Sequence, residues 1–332
     1  MKKAKKAAPK TPALNLQIEG GRKLHGTIET NSSKNGAVGL LCASLLNRGT
    51  TTLKRMPKIE EVNRLIEVLQ SIGVNVSWHG HDLKIKPPKK LDLSKINRAS
   101  AIKTRSIIMF IAPLIHLFKK FSIPQSGGCK LGARTIHPHL LALKELGVSI
   151  KTTEDSYDIS RKKLHPGEII LYEAGDTATE NALLAAAKIP GETIIKYASA
   201  NYQVQELCFF LQNLGIPIKG VGTTTLTIRG KKEIDENIEY HVSEDPTDSM
   251  FFIAAAAVTG SHLKITRCPI DFLELELFTL KLMGLKYKKS KAYFSKNGRT
   301  RLVDIEIFPS SLQAPPEKIH ARPYPGINID NL

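Results

Sequence analysis

One pattern returns four times along the chain and limits what it can fold into more than any other feature. An amphipathic helical stretch runs into an apolar residue and a glycine, and a short alternating strand follows. The copies lie at residues 62–76, 140–150, 204–218 and 273–287. Their glycines, Gly73, Gly147, Gly215 and Gly284, recur at intervals of about 74, 68 and 69 residues, the mark of an internal structural repeat. A glycine suits the position just past a helix end, where the backbone takes a positive φ. A second, more apolar helical stretch precedes each copy, at 37–46, 106–118, 179–187 and 249–258. A β-rich run such as Thr50-Thr51-Thr52-Leu53 or Glu192-Thr193-Ile194-Ile195 closely follows three of these front helices. With the strand before it, each unit is a βαβαββ module. The fold class expected is α+β, and 332 residues are long enough for two domains.

The last residues look like the start of a fifth unit. Pro323-Tyr324-Pro325-Gly326 leads towards Asp330, an acidic residue placed for the first turn of another front helix, two residues before the sequence stops. A stack of modules normally needs a terminal unit to cover its last apolar face. The expectation is a chain cut short at its C-terminal side, whether a fragment, half of a split protein or a truncated homologue.

Composition narrows the function. Hydrophobic residues make up 42% of the chain, ample for a packed interior, yet no apolar run approaches the roughly 20 residues that span a bilayer. The start, residues 1–10, is basic with no apolar segment after it, so it reads as a solvated tail and not a secretory signal; cytoplasm is the expected location. The formal charge of +17 calls for an anionic partner, nucleic acid or a phosphorylated metabolite. Lysine runs at 87–90 and 286–289 contain one aromatic, Tyr287, too little for a base-stacking platform, so nucleic acid is not the expected partner. The four cysteines, 42, 129, 208 and 268, form no CxxC pair, which argues against a disulfide framework or a zinc knuckle.

Only Cys129 sits among glycine and charge, in Gly127-Gly128-Cys129-Lys130-Leu131-Gly132-Ala133-Arg134. A thiol on a pliable cationic loop has the setting for a lowered pKa and for access by a reagent. The other candidates stand where front helices begin. Lys34-Asn35 opens the first, Arg105 the second, Asp176-Thr177 the third, and Asp245 with Thr247 the fourth. A cation at a helix N-terminus opposes the dipole, so Lys34 and Arg105 make sense if phosphate binds there. Asp and Thr at such places are also ordinary N-caps.

Together, Ser33-Lys34-Asn35-Gly36-Ala37, Arg105, the 128–134 loop and Pro323-Tyr324-Pro325-Gly326 resemble the enolpyruvyl transferases, in particular the UDP-N-acetylglucosamine 1-carboxyvinyltransferase family. The resemblance runs from about residue 14 to 332 in matching order. It implies an inside-out α/β barrel of two domains, each of three βαβαββ modules, closing over the substrates. On that plan residues 1–13 are a disordered basic tail and 33–240 form the domain with the cysteine loop. Residues 14–32 and 241–332 then belong to the other domain, which lacks its last modules.

The implied reaction carries the enolpyruvyl group of phosphoenolpyruvate to the 3′-hydroxyl of UDP-N-acetylglucosamine, releasing phosphate, the step that opens peptidoglycan synthesis. The resemblance gives Cys129 the roles of general acid and of covalent partner for phosphoenolpyruvate. It assigns Lys34 and Arg134 to phosphate and carboxylate, with Asn35 beside them. Arg105 and the run Arg134, Thr135, Ile136, His137, Pro138 match contacts to the UDP-sugar. Asp176 and Thr177 match a nucleotide contact loosely, and Asp330 matches the acceptor of the hydroxyl proton. No metal or other cofactor is implied.

Three departures stand out. His137 replaces an acidic residue, Asn201-Tyr202-Gln203 replaces an acidic segment, and the family's further arginines for phosphoenolpyruvate would lie past Leu332. A non-catalytic truncated homologue that binds UDP-sugar or a partner chain is therefore the alternative. The missing modules would then come from a second chain.

Overall fold

The computed structural model describes residues 15, 17–125, 135–315, 317–328 and 331. The helix Glu60–Ser71 illustrates how the repeat builds its parts. Glu60 and Glu61 occupy the first turn, where acidic side chains suit the helix dipole, and Val62, Leu65, Ile66, Val68 and Leu69 form one buried stripe. It ends at Gly73 with φ of 100°, and Gly147, Gly215 and Gly284 take φ of 90°, 78° and 102° at the matching places. At Gly147 a side chain would also collide, since a Cβ would lie 2.9 Å from the Lys163 carbonyl oxygen.

The front helices are apolar nearly all round, as helices inside a protein must be. In Lys34–Ala43 every residue from Gly36 to Ala43 is buried, and Asp176–Ala186 is buried from Ala178 onward. The first three pack against one another, while the fourth, Pro246–Val258, packs on the strands His262–Pro269 and Arg301–Phe308; the sheets bury one face, as in the pattern of Thr51–Lys54. The second front helix departs from the continuous helix expected at 106–118. It is a 3₁₀ stretch, Arg105–Phe110, followed by a single α-turn, Ile111–Leu114. Pro113 cannot donate to the turn before it, which accounts for the short, tight winding.

Each module carries a sheet. The first orders its strands Ile238–His241, Thr51–Lys54, Asp82–Lys86, Asn75–His79. The second has Lys120–Pro124, Ser156–Arg161, Val148–Thr152, and the third Ile218–Lys219, Thr225–Gly230, Gly191–Lys196, Glu168–Ile170. The fourth runs His25–Glu29, His262–Pro269, Arg301–Phe308, Lys286–Lys289, with Tyr293–Phe294 also on Arg301–Phe308. The opening strands of the first and fourth modules are exchanged. His25–Glu29 precedes the first front helix in sequence but pairs in parallel with His262–Pro269, while Ile238–His241 pairs in parallel with Thr51–Lys54.

The chain therefore crosses twice between two bodies. The crossings run side by side: Ser33 N donates to Ser243 O at 2.7 Å and Asp245 N to Asn31 O at 2.9 Å, flanking a bridge between Ser32 and Glu244. One continuous core is built from residues between 37 and 242, and a smaller one from residues between 250 and 307.

A second signature of the repeat carries no glycine. Arg55, Tyr197 and Arg267 have φ of 59°, 56° and 63°, each at or near the end of the strand that follows a front helix. A left-handed conformation costs such residues about 1–2 kcal/mol.

Candidate active site

A cavity of about 660 Å³ lies where the front helices begin, and Lys34, Asn35, Arg105, Thr135, Asp176 and Thr177 line it. Ser33 caps the first helix by accepting from Gly36 N at 2.9 Å, which sets Lys34 and Asn35 in the first turn. The Lys34 backbone N–H donates to Asp245 Oδ2 at 3.0 Å. Asp245 is also the N-cap of the fourth front helix, accepting from Thr247 N at 2.9 Å, so one carboxylate ties two front helices together. Burial pushes its pKa up, against these backbone donors.

The Lys34 ammonium opposes its own helix dipole, and Glu61 answers it with Oε2 at 2.9 Å from Nζ. Glu61 in turn accepts from Ser106 Oγ at 2.6 Å and Thr104 Oγ1 at 3.0 Å. Burial would raise its pKa, but the bonds from Ser106, Lys34 and Thr104 outweigh it and hold the carboxyl below the usual range. Asn35 Nδ2 donates to the buried Tyr202 hydroxyl at 3.0 Å.

On the opposite wall Asp176 collects donors. Its Oδ2 accepts from Asn201 Nδ2 at 3.1 Å and from Gln203 Nε2 at 2.9 Å, and its Oδ1 from the Ser199 hydroxyl. The amides that stand in the 201–203 segment are thus the partners of the aspartate, which an acidic segment would repel. Glu180 lies beneath, fully buried, with its pKa raised well above the ordinary value by burial and then by Asp176, and its Oε1 has no hydrogen-bond partner. Only a glycine fits opposite, because a Cβ at Gly39 would come within 2.7 Å of that oxygen.

Arg105 Nη2 donates to the Thr135 carbonyl at 3.2 Å, which draws the start of the 135–138 run to the cavity. Ile136, His137 and Pro138 are not among the lining residues: Ile136 caps the helix His137–Lys144, His137 is exposed, and Pro138 is buried in its first turn. His139 is buried, accepts from Asn181 Nδ2 at 3.1 Å, and has its pKa pushed down to about 4 by burial and then by Arg105. Its Nε2 lies 3.4 Å from the hydroxyl of Thr177, a residue of the cavity wall. Cys129, Lys130, Arg134 and Asp330 lie outside the described residues. The segment leading to Asp330 is anchored: Tyr324 packs on Phe272 at 5.1 Å between ring centroids, and Phe272 on Tyr202 at 5.9 Å.

Sequence reasoning missed Glu61, Tyr202 and a cluster at the crossing. There Glu244, buried, accepts from Arg55 Nη1 at 2.9 Å and from Arg267 Nε at 3.0 Å and Nη2. Arg55 and Arg267, both of left-handed backbone, come from opposite sides of the crossing. Nothing in their local sequence marks them.

Two cations beside helix starts thus share one cavity with a carboxylate held by amides. The fold has counterparts among solved structures. The enolpyruvyl transferase NikO from Streptomyces tendae superposes with a TM-score of 0.70 at 19% identity, over 86% of this chain and 67% of that one. EPSP synthase from Acinetobacter baumannii gives 0.67 at 18% identity, over 89% and 67%. The fold is that of the enolpyruvyl transferases.

The family model for EPSP synthase (3-phosphoshikimate 1-carboxyvinyltransferase) matches residues 18–330. UDP-N-acetylglucosamine 1-carboxyvinyltransferase 2 of Caldanaerobacter subterraneus is 33% identical over 90% of this chain and 73% of its own length. The enzyme named UDP-N-acetylglucosamine 1-carboxyvinyltransferase in Treponema denticola is 37% identical over 75% and 58%. The chain belongs to the UDP-N-acetylglucosamine 1-carboxyvinyltransferase family, and its matches cover 58% to 73% of the length of these two relatives.

Proposed function

We propose that this chain forms the catalytic cleft of a transferase that moves the enolpyruvyl group of phosphoenolpyruvate to the 3′-hydroxyl of UDP-N-acetylglucosamine, the first committed step of peptidoglycan synthesis. The observation that carries the reading is the gathering of Lys34, Asn35, Arg105, Thr135, Asp176 and Thr177, read from separate stretches, around one cavity. In this reading residues 33–240 are one domain, whose residues line the cavity, and 14–32 with 241–332 are the other. Lys34 and Arg134 take the phosphate and carboxylate, where cations stabilise developing charge. Cys129 protonates the methylene carbon of phosphoenolpyruvate while the sugar oxygen attacks the neighbouring carbon, and Asp330 accepts the hydroxyl proton. Loss of the methyl proton and of phosphate from that tetrahedral adduct restores the double bond.

No helix among the described residues is long and apolar enough to cross a membrane, and the reading places the enzyme in the cytoplasm. Phe251, Val258, Phe278 and Leu282 stand 57% to 79% exposed on the helices of the fourth module. This reading makes that face the seat of the remaining modules, supplied by further sequence or by a second chain.

The test is phosphate release by the 332-residue chain given both substrates, beside Cys129→Ala. Release that needs both substrates and the thiol supports the transferase. Equal release from a well-folded Cys129→Ala variant removes the thiol from the mechanism. Absence of release alongside binding of UDP-N-acetylglucosamine would leave only the binding half of the proposal.

A further inference from the structure

The lysine-rich run at 87–90 takes no part in the cleft, but it borders a second cavity, of about 990 Å³, in the body built from residues 37–242. The two cavities share no lining residue. Lys34 stands in the cleft at the start of its helix, while Leu45, Leu46 and Arg48, beyond the helix's other end, line the second cavity. The ten residues of Lys34–Ala43 put about 15 Å between them.

The second cavity has a cationic rim and an apolar floor. Arg48, Lys86, Lys89, Lys90 and Lys188 line it against a single carboxylate, Asp235. Arg48 is paired with Glu233 at 2.7 Å, and the four lysines have no ion pair among the described residues. Leu46 and Leu91 are buried beneath them, and Phe118 is half-buried. A run of surface lysines is ordinarily a solvated face; Lys188 is not in that position. It is half-buried just after the helix Asp176–Ala186, and burial pushes its pKa down, with Glu233 opposing and Arg48 adding to the shift. The helix C-terminus favours a cation there, but an ammonium losing water beside a guanidinium is relieved further by an anion.

We propose that this cavity is a second binding site, for a small organic phosphate whose charged group meets the four lysines and whose apolar or aromatic body lies on Leu46, Leu91 and Phe118. Its volume falls at the upper end of the roughly 300–1,000 Å³ usual for ligand sites. A nucleic-acid strand is the poorer fit, since the cavity is bounded and Phe118 is its one aromatic lining residue.

Calorimetric titration of the full chain with phenyl phosphate and with inorganic phosphate, at low salt, tests this. Phenyl phosphate is expected to bind saturably and about tenfold tighter than inorganic phosphate, the worth of a buried aromatic body. Lys89→Gln/Lys90→Gln, both exposed positions, should weaken phenyl phosphate about tenfold with an unchanged melting temperature, and Lys188→Met should do the same if it folds. Lys34→Ala, in the cleft, should leave that binding intact. Binding lost in Lys34→Ala but kept in the lysine variants would overturn the proposal by placing the ligand in the cleft. So would equal affinity for the two probes, or no saturable binding. Retention of an RNA oligonucleotide through Lys89 and Lys90 without small-anion binding would also overturn it.

Discussion

Removing the carboxylate at the double crossing separates two contributions that the structure superimposes there. Glu244 Oε1 receives all three guanidinium bonds, from Arg55 and twice from Arg267, while Oε2 is buried with no partner. Glu244→Ala deletes the acceptor and leaves two cations facing a cavity. For a fully buried ion pair that loss is about 3–5 kcal/mol. Here the arginine side chains remain 29% and 22% exposed, and Arg55 keeps the Thr30 carbonyl and Glu29. Water and these partners reduce the expected loss to about 2–4 kcal/mol. Glu244→Gln keeps one oxygen in the position of Oε1 and replaces an unpartnered acceptor by an unpartnered amide, so it removes charge but not geometry. Its expected cost is about 1–2 kcal/mol. Urea titrations followed by the fluorescence of Trp78, in the body of residues 37–242, and by far-ultraviolet circular dichroism would read both. The crossing joins the two cores, so Glu244→Ala should also separate the two transitions. Losses below 0.5 kcal/mol in both variants, with coincident transitions, would refute the reasoning.

Three further expectations follow from the geometry. Glu206 is buried, accepts from Ser243 N at 3.0 Å, and burial pushes its pKa from 4.5 to about 8. The folded state holds that proton more tightly than the unfolded state, so its contribution is fully present below pH 4.5 and is lost as pH rises towards 8. The stability of Glu206→Gln relative to the parent should therefore climb by a few kcal/mol across that window; parallel profiles would show that Glu206 is ionised throughout. Glu61→Gln should lower kcat/KM on the order of tenfold to a hundredfold, because Lys34 loses the anion that aims it, with little change in melting temperature; unaltered kinetics would make the Lys34–Glu61 pair ornamental. Gly39→Ala should destabilise by about 1–3 kcal/mol, since its Cβ would press on Glu180 at 2.7 Å, and Glu180→Ala in the same chain should relieve part of the loss in a thermal-melt double-mutant cycle.

What could be read from the chain in advance was whatever leaves a mark on a single residue. A helix end that demands positive φ selects glycine, so Gly73, Gly147, Gly215 and Gly284 made the repeat countable before any coordinate was known. A helix start that carries a cation against its dipole is equally visible, and Lys34 and Arg105 do line one cavity. The rest is relational. Nothing in the stretch 25–29 says that its partner is 262–269, so the exchange of opening strands had no local sign. The left-handed backbone of Arg55 and Arg267 left none either, because those positions hold arginine, and both guanidiniums reach Glu244 across the crossing. Asp176 shows the halfway case. An aspartate at a helix start is ordinary, and amides at 201 and 203 are unremarkable alone; only their contact makes the acid and the two amides one compensated arrangement. Such a pair is the kind of signal a single sequence does contain, provided the departures from a familiar pattern are compared with each other as well as with the pattern. Asp176→Asn tests that argument: if the amides are there for the aspartate, the substitution should weaken the wall of the cleft more than it would against an acidic 201–203 segment.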